Sequence, residues 1–82
     1  MVHGGRVRPA FNYQASEHGV RWRSILVALA NCHRVVKALR HPDGYVAWGM
    51  ASAGSLLRVD FDLERRDDGD WALVVTAFEV VK

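Results

Sequence analysis

The sequence predicts an α+β domain in which two helices near the N-terminus precede an antiparallel meander of about four strands, and three observations carry this. Trp22, Ile25, Leu26 and Leu29 fall at i, i+3, i+4 and i+7, the apolar stripe of an amphipathic helix. Leu57, Val59, Phe61 and Leu63 alternate with Arg58, Asp60, Asp62 and Glu64, as in a strand with one face buried. The helical pattern comes first and the strand patterns follow, an order that places helices on one face of an antiparallel sheet.

Each element follows in turn. Residues 1–10 read as a loose tail or a short edge strand ending at Pro9, and residues 11–82 as a single domain. Phe11 to His18 has room for one or two helical turns closed by Gly19. The second helix starts around Trp22 and stops near Asn31. Arg34–Leu39 is ambiguous between a continued helix and a strand; the pair Val35–Val36 and the turn His41-Pro42-Asp43-Gly44 favour the strand. Tyr45–Met50 is a strand, Ala51–Ser55 a turn, and the alternating run from Leu57 another strand. Arg65–Asp70 is a polar hairpin loop, and Trp71–Phe78, apolar on both faces, is an inner strand. The helix stripe is expected to pack on Val59, Phe61, Val75 and Ala77.

Composition narrows the class. Half of the 82 residues are hydrophobic and 24% are charged, which suits a folded domain and not a disordered one. Cys32 is the single cysteine, and no Cys/His cluster has zinc-ligand spacing, so neither a disulfide nor a metal is expected, and no cofactor. No stretch approaches a membrane span, and Met1–Gly5 lacks the apolar core of a signal peptide. A soluble, cytoplasmic protein is the expectation.

Charge is divided unevenly along the chain. Arg6, Arg8, Arg21, Arg23, Arg34, Lys37 and Arg40 stand against Glu17 alone in residues 1–42, a net +6; residues 43–82 set Arg58, Arg65, Arg66 and Lys82 against eight acids, a net −4, and the whole chain carries +2. Such a partition suggests a basic face for a polyanion or an acidic partner, unless the two halves neutralise each other across the fold. The segment EHGVRWRSILVAL, residues 17–29, sharpens the point. A helix N-terminus carries partial positive charge, so Arg21 and Arg23 are misplaced there unless an anion joins them.

The run Phe11-Asn12-Tyr13, then Glu17-His18-Gly19-Val20, an amphipathic helix, HPDGYVAWG (41–49), SAGSLLRVDF (52–61), the loop DDGD (67–70) and VVTAF (74–78) resembles the small bacterial toxins of the BrnT type and related short domains of the RelE-like ribonuclease group. The resemblance spans roughly residues 11–78. It implies two helices on a curved antiparallel sheet, cleavage of RNA, and neutralisation by an antitoxin partner.

Metal-independent cleavage of RNA through its own 2′-hydroxyl needs an acid and a base and cations on the phosphate. The candidate catalytic residues are His18 as acid or base, with Arg21, Arg23 and Arg58 on the phosphate. Arg21, Arg23, Arg34 and Lys37 are the candidate RNA-binding residues, and Trp22 could stack a base. Plainer roles compete: His18 as a polar helix end, Trp22 as core, Arg58 paired with Asp60 or Asp62. The alternative function is a non-catalytic interaction module of the same fold that binds an antitoxin-like or acidic protein, favoured by a C-terminal run, Ala77–Lys82, with one lysine. RNA, an antitoxin-like protein and a second copy of the chain are thus the expected partners, with no membrane among them.

Overall fold

A computed structural model describes residues 6–11, 13, 19–38, 44–51 and 54–80. Five strands and one helix follow in the order β1 (Val7–Pro9), α1 (Trp22–Ala30), β2 (Cys32–Lys37), β3 (Gly44–Met50), β4 (Leu56–Arg66) and β5 (Gly69–Glu79). They form one sheet of spatial order β1-β5-β4-β3-β2, antiparallel except for β1, which runs parallel to β5.

The expected two helices on about four antiparallel strands is therefore corrected: the described residues form one short helix on a five-strand mixed sheet and are mostly β. Two local facts account for the change. Val7-Arg8-Pro9, in the lead segment, joins β5 as an edge strand, and an edge tolerates Pro9 because it lacks a ladder donor there. Asn31 ends α1 after nine residues: its side-chain Nδ2 donates to the Val27 carbonyl at 2.9 Å, its backbone N–H to the same oxygen at 3.0 Å, and Cys32 already belongs to β2. Val35 and Val36 thus act as strand residues. Phe11 and Tyr13 are not helical, and the rest of the expected first helix, Asn12 and residues 14–18, lies outside the described residues.

The core lies between α1 and one face of the sheet. Ile25, Ala28 and Leu29 pack with Ala47, Leu57, Val59, Phe61, Ala72, Val74 and Ala77. Ile25, Leu29, Val59 and Val74 are fully buried, each worth about 1.5–3 kcal/mol relative to exposure. The buried stripe is shifted from the expected one, because Leu26 is only half-buried and Ala28 takes its place. Val75 is not in the core either. Asp60 pairs with Thr76 while Phe61 pairs with Val74, so Val75 is the extra residue of a bulge that lets both Val74 and Ala77 face inward. Trp22 packs at the core margin, edge-on to Tyr13 at 5.6 Å, which makes it a packing residue rather than a stacking platform.

Gly49 decides how closely the layers meet. A Cβ there would run into the Ala28 carbonyl oxygen, so α1 lies on the backbone of β3 itself.

Candidate functional site

Strand alternation divides the side chains between two faces. On β3 and β4, Tyr45, Ala47, Leu57, Val59 and Phe61 go to the helix side, while Trp48, Arg58 and Asp60 go to the other, over which no described helix or strand lies. That helix-free face carries the chemistry. Arg34, Trp48, Arg58 and Phe78 stand in one row across β2, β3, β4 and β5. The Arg34 guanidinium carbon lies 5.3 Å from the centre of the Trp48 ring, and that of Arg58 lies 6.0 Å from Trp48 and 5.4 Å from Phe78. Cation–π contacts of this kind are worth about 0.5–1 kcal/mol each at exposed sites, and they hold long side chains flat against the rings.

A second cluster occupies the far end of the same face. Trp71 is flanked by Arg8 at 5.5 Å and Arg66 at 5.4 Å, and its Nε1 donates to Asp68 at 2.9 Å. Arg66 Nε donates to Glu64 Oε1 at 2.7 Å, and this bond draws the Glu64 carboxyl below its usual range while raising the guanidinium's affinity for its proton. The indole N–H does the same for Asp68, lowering it. Between the two clusters lie Val36, Val46, Asp60, Thr76, Asp62 and Leu73.

The four arginines of this face are not equivalent. Arg58 bonds Asp60 at 3.0 Å and Arg66 bonds Glu64, so their charges are partly met within the chain. Arg34 and Arg8 have no carboxylate ion pair among the described residues. Held over rings, and with no carboxylate ion pair among the described residues, Arg34 is the group best able to take an external anion; Arg8 comes second, because Glu64 lies near enough to feel its charge.

The sequence-derived site is split by this geometry. Arg58 and Arg34 share the helix-free face and one row. Arg21 and Arg23 belong to the helix layer on the opposite side of the sheet, where Arg21 is the residue capping α1, with no side-chain capping bond. It borders an open hollow with Ser24, Ser55 and Glu79, the last an acid that disfavours an anion there. Lys37, opposite Tyr45, points to the helix side at the edge of the sheet. His18 lies outside the described residues. Arg21 and Arg23 thus cannot act on the same bound group as Arg58, because the sheet stands between them.

The charge partition of the sequence is also blunted in space. Arg6, against Gly69, lies near Asp68, and Arg8 lies near Glu64, so two cations of the first half meet acids of the second. Among the described residues no group of His, Cys, Asp and Glu is arranged to hold a metal ion, and no helix is long and apolar enough to cross a membrane.

Sequence reasoning overlooked Trp48, Trp71, Phe78, Arg8 and Arg66. The local sign was that Trp48 shares the phase of Val46 and Met50, opposite to that of Tyr45 and Ala47. Its arginine neighbours come from other strands and follow only from register. Comparison of the chain with protein families, with characterised proteins and with solved structures finds no match.

Proposed function

We propose that the chain is a toxin-like RNA-binding domain that takes single-stranded RNA on its helix-free sheet face. The observation that carries this reading is the row Arg34–Trp48–Arg58–Phe78, which alternates guanidinium and aromatic groups on a sheet face over which no described helix or strand lies. Phosphates meet the N–H edges of Arg34 and Arg8, while bases stack on guanidinium planes and exposed ring surface. The same substrate class is what the sequence's resemblance to BrnT-type and RelE-like toxins implies, although the described fold departs from the two-helix arrangement that goes with it. Within this reading Arg58, which stands in the same row and is held by Asp60, is the candidate for the phosphate's charge during cleavage, once a phosphate displaces part of that pairing.

The test is anisotropy of a labelled single-stranded RNA at several salt concentrations. Affinity falls with salt, and Arg34→Gln reduces the slope of log K against log salt by about 0.7, the share of one phosphate contact. Arg21→Gln and Arg23→Gln leave the slope unchanged. Equal losses from the helix-side variants, or no binding at low salt, overturn the reading. Incubation with excess chelator reports cleavage separately, and growth arrest on expression, relieved by Arg58→Ala, marks a ribonuclease. One observation favours the second reading, a non-catalytic protein-binding module: Asp60 and Glu64 already neutralise half of the arginines on this face. Harmless expression with no RNA affinity selects it.

A further inference from the structure

We propose that β2 is a docking edge for an extended acidic segment of a partner protein, which adds to the sheet as a further strand beside Cys32–Lys37. The proposal does not rest on RNA binding, although it shares Arg34 with that reading: it rests on the backbone groups of the sheet edge and on the charges of β2.

The sheet has two edges, and they differ. β1 has three residues and ends in proline, whereas β2 has six residues and none. The hydrogen-bond phase of β2 follows from one bond: the Ala38 N–H donates to the Gly44 carbonyl at 2.8 Å. Steps of two along the register make Val36–Val46 and Arg34–Trp48 the pairs bonded to β3. The N–H and C=O groups of Val35 and Lys37 therefore point outward, away from the sheet. Val35 is 39% exposed, unusual for its type. These outward groups are the template that a pairing strand needs.

Charge selects the occupant. β2 carries His33, Arg34 and Lys37 and no acid, and β3 beside it carries no charged residue at all. Neither Arg34 nor Lys37 has an ion pair among the described residues. A second copy of β2 would bring three more basic side chains and no acid to this edge, so no register of it offers a charge pair. An acidic strand gains where a second copy does not. Arg34 and Val36 face the helix-free side, and Val35 and Lys37 face the helix side. The run Arg34-Val35-Val36-Lys37 is thus matched, in either direction, by acid–apolar–apolar–acid, with one carboxylate on each face of the sheet.

The probe is an acetylated, amidated peptide with a Glu-Val-Val-Glu core between threonines, compared with its Gln-Val-Val-Gln counterpart. Titrated at low salt into the full chain and followed by amide chemical shifts and hydrogen exchange, the acidic peptide protects the Val35 and Lys37 amides, whose N–H groups have no partner among the described residues. The neutral peptide binds about fivefold or more weaker, having lost both charge pairs. Val35→Pro, which removes an outward N–H and none bonded to β3, abolishes peptide binding while the urea midpoint and RNA affinity stay unchanged. Absence of binding by the acidic peptide, equal binding of the two peptides, protection away from β2, or binding undiminished in a folded Val35→Pro variant each overturns the proposal. RNA binding lost without change in peptide binding would refute the open-face reading and leave this one standing.

Discussion

Substituting Gly49 by alanine tests how α1 is seated on the sheet. Gly49 is buried on β3, paired with Cys32 and Leu57, and its backbone needs no positive φ, so what matters there is space. The added methyl would meet the Ala28 carbonyl oxygen, with the Ala28 carbonyl carbon at 2.8 Å and the Cys32 Cα at 3.0 Å. All three are backbone atoms and none can rotate aside. The helix has to lift, and a gap of about 0.5–1 Å already forfeits a quarter to a half of each dispersion contact made by Ile25 and Leu29. Overpacking of this kind costs about 1–3 kcal/mol. A domain of this length has only about 4–12 kcal/mol in total. Urea unfolding followed by tryptophan fluorescence should therefore show a midpoint lower by about 0.3–3 M, given slopes of about 1–3 kcal/mol/M. Because the obstacle is a carbonyl and not a side chain, Ala28→Gly added to Gly49→Ala should not restore it. An unchanged midpoint in Gly49→Ala, or rescue by Ala28→Gly, would refute the close backbone seating.

The remaining expectations concern core, charge and surface. Ile25→Ala should cost about 2–5 kcal/mol, and Leu26→Ala clearly less, because Ile25 is fully buried and Leu26 is not; equal losses by urea titration would return the stripe to its sequence-derived position. The Glu64 and Asp68 carboxyls lie below their ordinary values in the folded state. Their contribution to stability is thus present at neutral pH, and it declines as acidity carries the chain below about pH 4, through the folded-state values. In Glu64→Gln combined with Asp68→Asn, the urea midpoint should depend less on pH across that acid window, and an unchanged dependence would count against the pairing. Trp71→Phe keeps the ring between Arg8 and Arg66 but removes the N–H that Asp68 accepts, so the Asp68 carboxyl should titrate nearer its ordinary value by NMR.

Much of the fold is legible in local pattern. The alternation of Leu57 to Glu64 marks β4 because a period of two has one physical cause, and the stripe from Trp22 to Leu29 marks α1 because 3.6 residues per turn place those positions on one side. Arginines at the start of α1 are equally visible. Other features depend on partners distant in the chain. Whether Val7–Pro9 forms a strand depends on β5, more than sixty positions away. The Val75 bulge, which sets the phase of Val74 and Ala77, exists only in the pairing of β4 with β5. The candidate site is of this second kind. Arg34, Trp48, Arg58 and Phe78 have no common spacing, and only cross-strand register makes them neighbours, while the same sheet separates Arg21 and Arg23 from Arg58. Local sequence sets the direction of each side chain relative to its own strand or helix; which other side chains it meets is decided by how the elements are paired and stacked, a long-range outcome of burying one shared core.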